Sequence, residues 1–255
     1  MEKSLQAEGR ADASKELVVA IDHGMSFPGM AGLEKPVELL RLLARCPHVD
    51  GIIASPGMYR QAERLGIGLG RILKWITVDF VVQEGERLTH RELIVSPKEA
   101  ADYRPDGFKM FFNVYEEKDE LLRNVRDFTR FAHEGRRLGI PCLAEVLFFG
   151  NRAFARAENR AEELYKGCRM AMELGADILK IPMLEDLDEM REILDRLHMP
   201  AYVLGGSRFE TDEAFLGEVD RMNSLPIRGV MLGRNVWHRS DVAGMIERIR
   251  KRMDD

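Results

Sequence analysis

The sequence predicts a closed (β/α)8 TIM barrel, and three observations carry this prediction. Short, continuous apolar runs alternate with longer amphipathic stretches, as expected for parallel strands covered by helices. Eight such strand–helix units follow one another with short connections and no linker. The length of 255 residues suits a single barrel. We therefore expect one domain over residues 1–255, in which residues 1–15 form a tail or a short helix.

A doubly wound open sheet is the alternative fold with the same rhythm. Its usual phosphate fingerprint, G-x-G-x-x-G directly after the first strand, does not occur after ELVVAID (16–22). The segment GIGLG (66–70) lies before a strand and does not open a helix, so we interpret it as a turn. The closed barrel is therefore preferred.

The predicted strands are short apolar runs. In chain order they are ELVVAID (16–22), VDGIIAS (49–55), RILKWITVDFVV (71–82), GFKMFFNV (107–114), IPCLAEVLFF (140–149), ADILKIPM (176–183), PAYVLGGS (200–207) and IRGVMLGRNVW (227–237). The third run is unusually long. It is followed by QEGERLTHREL (83–93), which suits either a loop or an extension of the strand.

The predicted helices follow these strands and have recognisable ends. Pro36 and the Ser96–Pro97 pair are suited to the first turns of helices. Gly66 and Gly139 are suited to the carboxyl ends of helices, and Ser240 is suited to the N-cap of the last helix. The helices are PVELLRLLARC (36–46), PGMYRQAERLG (56–66), SPKEAADYRP (96–105), a stretch from about Glu116 to Leu138, NRAEELYKGCRMAMELG (159–175), LEDLDEMREILDRLHM (184–199), TDEAFLGEVDRM (211–222) and SDVAGMIERIRKRM (240–253).

Composition narrows the class of protein. The net charge is -5, and basic residues are spread beside acidic ones, which argues against a nucleic-acid or anionic-membrane surface. No apolar run approaches the length of a membrane helix, and the first residues lack a signal-peptide core, so we expect a cytoplasmic protein. The three cysteines, Cys46, Cys142 and Cys168, are isolated in the sequence, and we expect them to be reduced thiols. The histidines are scattered, so neither a metal site nor another cofactor is expected.

Candidate site residues lie where the predicted strands end. In barrels the reactive groups occupy the carboxyl ends of the strands. The polar and glycine residues at these ends are Asp22, His23, Gly24, Lys109, Glu145, Lys180, Gly205, Gly206, Ser207, Gly233 and Arg234. These residues come from six different strands, so the barrel topology predicts that they share one mouth.

Lys180 is a charged residue in an apolar strand. Strand side chains alternate, so if helices cover Leu179 and Ile181, then Lys180 points into the barrel. An ammonium there is poorly solvated, which favours the free amine that attacks carbonyl groups, and Lys109 would add to this effect. Glu145 would then move protons. A structural ion pair between Lys180 and Glu145 explains the same pattern about equally well.

The glycines after the seventh and eighth strands suggest a phosphate site. Barrels often bind phosphate at these two loops, where Ser207 would supply a hydroxyl and Arg234 a charged fork. An ordinary glycine turn and a structural role for Arg234 are the alternatives. Asp22 can equally brace the barrel mouth, and we expect His23 to face outward or to pack under a loop.

Several segments together resemble a known family. They are VVAIDHGMSFPGMAGLE (18–34), GFKMFFNV (107–114), LAEVLFF (143–149), GADILKIPM (175–183), VLGGSR (203–208) and GVMLGRNVW (229–237). In this order they resemble the class I aldolases of the DeoC/LacD superfamily, which includes archaeal-type fructose-bisphosphate aldolases, tagatose-bisphosphate aldolases and aminohydroxyheptanoate-phosphate synthases. The resemblance extends from Val18 to about Met245.

The resemblance implies roles for individual residues. Lys180 would form the Schiff base, Asp22 would assist proton transfer, and Gly206, Ser207, Gly233 and Arg234 would hold a phosphate. Archaeal-type members carry a tyrosine on the fifth strand, which LAEVLFFGNR (143–152) lacks. The glutamate here is closer to the tagatose-bisphosphate aldolases, which also have the lysine on the fourth strand. We therefore assign proton transfer to Glu145.

The expected function is a Schiff-base aldolase that uses no metal and acts on a phosphorylated ketose, with dihydroxyacetone phosphate as the donor. A transaldolase, a thiolase-like acyl transfer and a biosynthetic aldol synthase are alternatives within Schiff-base chemistry. A phosphate-binding barrel without turnover is the alternative of another class. Resemblance also suggests a homo-oligomer.

Overall fold

The computed structural model describes residues 14–85, 87–114 and 117–255. The strands in this part of the chain are β1 (Glu16–Ala20), β2 (Gly51–Ala54), β3 (Leu73–Thr77), β4 (Asp79–Glu84), β5 (Arg87–Leu93), β6 (Gly107–Asn113), β7 (Cys142–Leu147), β8 (Ile178–Ile181), β9 (Ala201–Leu204) and β10 (Gly229–Leu232).

The strands confirm the predicted (β/α)8 barrel. Eight parallel strands close in the order β1-β10-β9-β8-β7-β6-β3-β2, whereas β4 and β5 form a separate antiparallel hairpin. Of the tail or short helix predicted for residues 1–15, residues 1–13 lie outside the described residues. The single domain over residues 1–255 stays a prediction.

Helices cover the outside of the barrel. They are α1 (His23–Ser26), α2 (Pro36–Arg45), α3 (Pro56–Arg64), α4 (Pro97–Ala101), α5 (Lys118–Leu138), α6 (Arg152–Ala155), a 3-10 turn (Ala157–Asn159), α7 (Arg160–Glu173), α8 (Leu187–Leu197), α9 (Asp212–Asn223), α10 (Arg234–Trp237) and α11 (Val242–Asp254). In the described ranges, none of them is both long enough and apolar enough to cross a bilayer.

The alternation of strand side chains separates two apolar layers. One set fills the inside of the barrel and consists of Val18, Ala20, Ile53, Trp75, Leu143, Ile178, Tyr202 and Met231. Their neighbours along the strands, such as Leu179 and Ile181, face the helices and belong to the larger core. Both faces of the barrel strands are therefore largely buried, which explains the continuous apolar runs of the sequence.

A polar cluster closes the amino-terminal end of the barrel. Tyr202 donates a hydrogen bond to Glu16, and Arg228 Nη2 lies 3.0 Å from Glu16 Oε1. Trp75 packs edge-on against Tyr202 with ring centroids 6.1 Å apart. The opposite, carboxyl-terminal end is left for the candidate site.

The observed strands are shorter than the predicted runs, and two of these runs contain a second element. The third run (71–82) divides at Val78, where the chain leaves the barrel to form the hairpin β4–β5, so QEGERLTHREL (83–93) is mainly strand. The eighth run (227–237) ends at Leu232, and the predicted strand over its last residues is wrong, because Arg234–Trp237 form helix α10.

The predicted signals at helix ends include confirmed ones, one correction and one that lies outside the described residues. The side chain of Ser96 accepts from Glu99 N in a capping box, and Gly139 ends α5 in the left-handed region, as predicted. The last helix is capped by Asp241 and not by Ser240, because the Asp241 carboxylate accepts from Gly244 N at 2.8 Å. Glu116, the predicted start of the fourth helix, lies outside the described residues, and α5 is described from Lys118.

Replacing Gly229 with alanine is expected to destabilise the protein by about 3 kcal/mol, because the added Cβ would overpack the seam that closes the barrel. An ideal Cβ at this position would lie 2.1 Å from the backbone oxygen of Glu16 on the paired strand β1. Urea unfolding measures the change in free energy.

Gly217→Ala is the matched control. Gly217 is exposed in α9, and nothing lies within 4 Å of an added Cβ. We expect this variant to be stabilised by about 0.5–1 kcal/mol, since alanine favours helices. Equal stability of the two variants would contradict the tight contact between β1 and β10.

Candidate active site

Four charged side chains meet inside the barrel at the carboxyl ends of the strands. Asp22 follows β1, Lys109 lies on β6, Glu145 on β7 and Lys180 on β8. Each is at most 7% exposed, and Glu145 is the register partner of Lys180 on the adjacent strand. The structure thus brings together residues that are far apart in the sequence, from Asp22 to Lys180. All four are candidates that the sequence predicted.

The four side chains form a chain of alternating charge. Lys180 Nζ lies 2.7 Å from Glu145 Oε1, and Lys109 Nζ lies 2.7 Å from Glu145 Oε2. Lys109 Nζ also donates to Asp22 Oδ2 at 3.2 Å. Two ammonium groups and two carboxylates balance, which reduces the cost of burying them.

Lys180 points into the barrel, as its strand position predicted. Leu179 and Ile181 face the helices, whereas Ile178 belongs to the interior layer below the lysine. The ion pair between Lys180 and Glu145 is present too. The nucleophile and ion-pair interpretations are therefore compatible, because a carboxylate in contact with an amine is also its proton acceptor.

Asp22 is held as a carboxylate. Thr77 Oγ1 donates to Asp22 Oδ2 at 2.6 Å, and His23 Nδ1 lies 3.4 Å from Asp22 Oδ1. Burial raises the pKa of Asp22, but Lys109, together with His23, outweighs burial and holds this pKa well below its ordinary value. Asp22 is therefore ionised and accepts hydrogen bonds from two sides.

Lys109 and Glu145 stabilise each other's charge. Burial lowers the pKa of Lys109, but Glu145 and Asp22 outweigh burial and raise this pKa above its ordinary value. Burial raises the pKa of Glu145, but Lys109 and Lys180 outweigh burial and lower it. Lys109 Nζ also lies 3.2 Å from the centroid of the Phe111 ring, a cation–π contact. Lys109 is thus a fixed ammonium.

The glycine loops after β9 and β10 lie against each other. Arg234 Nη2 donates to Gly206 O at 3.0 Å. Asn235 Nδ2 donates to Gly205 O and to Ser207 O, both at 2.9 Å. Gly206 has φ +65°, and nothing lies within 4 Å of an added Cβ, so its backbone is open on that side. Ser207 and Gly206 are exposed and Arg234 is half-buried.

The turn after β1 joins these loops. His23 packs edge-on against Trp237, with ring centroids 5.5 Å apart, and an added Cβ on Gly233 would lie 3.0 Å from His23 Cε1. Trp237 Nε1 donates to Ala20 O at 2.9 Å. His23 therefore packs under a loop, as expected, and Asp22 is placed beside the two glycine loops.

Sequence reasoning missed two residues of this region. Thr77 ends β3, but the predicted third run extended to residue 82, so the rule of strand ends did not point to it. Asn235 joins the two glycine loops but was placed in a strand. An amide directly after the Gly233–Arg234 pair is the only signal for it in the sequence.

The barrel, with paired lysines and carboxylates at the ends of its strands, defines the class of this protein as a barrel enzyme. The family model described as DeoC/LacD family aldolase matches residues 16–239, which is most of the chain. The chain therefore belongs to the DeoC/LacD aldolase family and is an aldolase, a lyase. The resemblance found in the sequence is confirmed.

Individual relatives agree with this family. A class 1 fructose-bisphosphate aldolase of Thermoproteus tenax is 25% identical over 239 residues, which are 91% of this chain and 86% of the relative. A 2-amino-4,5-dihydroxy-6-oxo-7-(phosphonooxy)heptanoate synthase of Streptomyces griseus is 24% identical over 253 residues, covering 96% and 87%. The crystal structure of an archaeal fructose 1,6-bisphosphate aldolase has a TM-score of 0.79 at 20% identity and covers 94% of each chain. This likeness shows the fold.

Proposed function

We propose that this aldolase cleaves or forms a carbon–carbon bond of a phosphorylated ketose through a Schiff base on Lys180, with dihydroxyacetone phosphate as the donor. The observation that carries the proposal is the contact of Lys180 with Glu145, 2.7 Å apart inside the barrel mouth. A primary amine beside a proton acceptor is the arrangement that carbinolamine and imine chemistry require.

The choice of Lys180 over Lys109 follows from their partners. Lys109 contacts both Glu145 and Asp22, and its raised pKa keeps the charge on its nitrogen. Lys180 contacts Glu145 alone among the described carboxylates, and it shares that partner with Lys109. The lysine that we propose as the nucleophile is therefore Lys180, which has a single carboxylate partner. Lys109 then serves to fix Glu145 and Asp22.

The first half of the reaction forms the imine. A proton moves from Lys180 Nζ to Glu145, and the free amine attacks the ketone carbon to give a carbinolamine. Glu145 returns this proton to the hydroxyl group, which leaves as water, and Asp22 stays a carboxylate that is available to accept a proton in the second half. The resulting iminium cation lies beside the Glu145 carboxylate, which stabilises it.

The second half breaks the carbon–carbon bond. A carboxylate removes the proton from the hydroxyl on the carbon β to the imine, the bond between the α and β carbons breaks, and its electron pair forms the enamine. The aldehyde leaves, the enamine carbon takes up a proton, and water hydrolyses the iminium to release the donor and Lys180. Synthesis is the reverse.

The loops after β9 and β10 are proposed to hold the donor phosphate. Gly205, Gly206 and Gly233 form the backbone of this site, and Gly206 is open on the side of an added Cβ. Ser207 offers a hydroxyl, and Arg234 offers a charged fork. In the described part of the chain no carboxylate pairs with Arg234, whose contact is with Gly206 O. A fixed phosphate would orient the ketone toward Lys180, an effect worth several kcal/mol.

The names of the relatives support a phosphorylated substrate. Fructose bisphosphate and a phosphonooxy-heptanoate are the compounds named for the two enzymes described above. A biosynthetic aldol synthase is the second candidate, favoured by the similarity to the Streptomyces griseus enzyme over 96% of this chain. A cytoplasmic location and a homo-oligomeric state remain predictions.

A panel of ketoses tests the proposal. Ketose 1-phosphates and 1,6-bisphosphates are incubated with the enzyme, and release of dihydroxyacetone phosphate is followed with a coupled dehydrogenase. In the reverse direction, dihydroxyacetone phosphate is offered with a series of aldehydes. Triose phosphate release supports the aldolase. Condensation products without measurable cleavage support the synthase. If the enzyme shows neither cleavage nor condensation, both the aldolase and the synthase proposals are contradicted.

Replacing Arg234 with methionine is expected to raise KM for the phosphorylated ketose about 10- to 100-fold, because a bond from a charged donor to phosphate is lost. The value of kcat changes less, since Lys180 and Glu145 are untouched. Initial rates over a range of ketose concentrations measure both constants.

Arg169→Met is the control for this variant. Arg169 pairs with Glu173 on the exposed face of α7, so its loss leaves KM unchanged. The unphosphorylated ketose gives a second comparison, because its weak turnover should not depend on Arg234. An unchanged KM in Arg234→Met would contradict the phosphate site.

A further inference from the structure

Phe111 is an inward-facing aromatic residue of β6. Side chains alternate along a strand, so Phe111 shares the inner face of β6 with Lys109, whereas Phe112 belongs to the core that faces the helices. Phe111 is also the register partner of Glu145 on β7. The ring is partly exposed, and because the barrel interior below it is filled, its exposed part faces the mouth. Phe111 therefore belongs to the candidate site, although it carries no polar group.

The face of the Phe111 ring lies against the Lys109 ammonium. Lys109 Nζ is 3.2 Å from the ring centroid, and the same nitrogen lies 2.7 Å from Glu145 Oε2 and 3.2 Å from Asp22 Oδ2. The face of an aromatic ring carries a negative potential that attracts a cation. In the described part of the chain, two carboxylates and one ring face thus contact this nitrogen, which matches the three N–H groups of an ammonium.

The hairpin holds Phe111 in this position. Asp79, the first residue of β4, accepts a hydrogen bond from Phe111 N at 2.9 Å through its Oδ2 atom. The ring packs against a small apolar cluster formed by Val81 of β4 and Leu88 of β5, each at most 6% exposed. The segment that leaves the barrel after Val78 therefore fixes both the backbone and the ring of Phe111.

Packing alone explains this aromatic residue poorly. A residue needed only to fill the space beside Val81 and Leu88 could equally be a leucine. The ring instead places one face on a cation, and Lys109 is 0% exposed. A leucine at position 111 would leave one side of this buried ammonium without an acceptor, and buried donors are rarely left so.

We propose that Phe111 is a positioning residue of the aldolase reaction, whose ring face holds the Lys109 ammonium against Glu145 and Asp22. Glu145 takes the proton of Lys180 in the proposed mechanism, and Lys109 is its second partner. Without the ring, the ammonium is free to shift toward the mouth, and Glu145 is held less firmly for proton transfer. This inference rests on the proposed function.

Fluorinated phenylalanines at position 111 test the role of the ring face. Rings with one, two and three fluorine atoms have nearly the same size, but each fluorine weakens the negative potential of the face. We expect kcat for the phosphorylated ketose to fall stepwise with the number of fluorine atoms, to about one tenth of the wild-type value with three. A role in packing alone predicts an unchanged kcat, because fluorination leaves the ring apolar.

The same series at Phe112 is the matched control. Phe112 is the next residue of β6, is completely buried, and packs edge-on against Phe128 with ring centroids 5.2 Å apart. Its ring partner is therefore aromatic and not a cation. Fluorination there should alter stability in urea but leave kcat within about two-fold of the wild type. A flat series at Phe111, or an equal fall in both series, overturns the inference.

Phe111→Leu gives a second, independent variant. Leucine keeps apolar bulk for Val81 and Leu88 but has no ring face, so we expect a similar, about ten-fold, loss of kcat. A wild-type kcat in this variant overturns the inference even if the fluorinated proteins are not obtained. If Phe111→Leu does not fold, the fluorine series decides.

Borohydride trapping separates failure of this inference from failure of the proposed function. The rate at which a ketose phosphate is trapped on the enzyme should fall in parallel with kcat in the fluorine series and in Phe111→Leu. Absence of an adduct in the wild-type enzyme overturns the proposed function and this inference with it. An adduct that forms equally fast in the wild type and in these variants overturns the inference alone.

Discussion

Replacing Lys180 with methionine is expected to lower kcat by at least about 10⁴-fold, since the covalent intermediate can no longer form. The thioether suits the apolar layer below it, where Ile178 and Leu143 lie. Glu145 keeps Lys109 as a partner. We therefore expect the variant to fold, and initial rates with near-UV circular dichroism measure activity and fold together.

Lys180→Arg is the matched control for charge. Arginine retains a cation for Glu145 but does not lose its proton, so it forms no Schiff base. Both variants should be inactive if Lys180 is the nucleophile. If Lys180→Arg retains more than about a tenth of wild-type kcat, Lys180 acts through its charge only, and the mechanism is wrong.

Replacing Glu145 with glutamine is expected to lower kcat by about 10²- to 10⁴-fold, the usual contribution of a general acid–base group. The amide cannot take the proton of Lys180, so formation of the carbinolamine slows. KM should change little, because the glycine loops lie on other strands. Stopped-flow measurement of imine formation separates this step from the rest of turnover.

The same change has a cost in stability. It leaves Lys109 and Lys180 with one carboxylate fewer inside the barrel, and an uncompensated buried charge costs about 3–5 kcal/mol. Glu173→Gln, at an exposed ion pair on α7, should change neither activity nor stability measurably. Activity of Glu145→Gln within about two-fold of wild type would remove Glu145 from the proton-transfer steps.

The barrel could be predicted because its strands are buried on both faces while its helices are buried on one. Runs such as ELVVA and GIIA therefore contrast with the amphipathic helices that follow them. The hairpin was harder to predict, because RILKWITVDFVV is one apolar run without glycine or proline at Val78. Gly85 was the available signal in the sequence for a turn between two strands, and its φ of +60° in the structure agrees with this.

The end of the eighth strand was missed for a related reason. Asn235, Val236 and Trp237 are all buried in α10, and a short buried run has the same appearance in a strand and in a helix. The cap at Asp241 depends on a single backbone contact with Gly244 N, which neighbouring residues such as Ser240 are equally able to make.

The charged site followed from one rule, that strand ends meet at one mouth of a barrel. This rule found Asp22, Lys109, Glu145 and Lys180 because each is the polar residue of an apolar strand. The ion pair between Glu145 and Lys180 was one of two interpretations of the sequence, but the pairing of Glu145 with Lys109 was not predicted, since alternation fixes the direction of a side chain and not its partner. Asp79 lies in the third run, whose division at Val78 the sequence does not signal, and its carboxylate accepts from Phe111 N.

Borohydride reduction in the presence of a phosphorylated ketose, followed by peptide mass mapping, tests the central claim most directly. Borohydride converts the imine to a stable secondary amine, so the site of attachment is read from the peptide mass. The account predicts that the mass of the reduced ketose phosphate is found on Lys180 in the wild-type enzyme and is absent from Lys180→Met. An adduct on Lys109, or no adduct across a panel of cleaved ketoses, would contradict it.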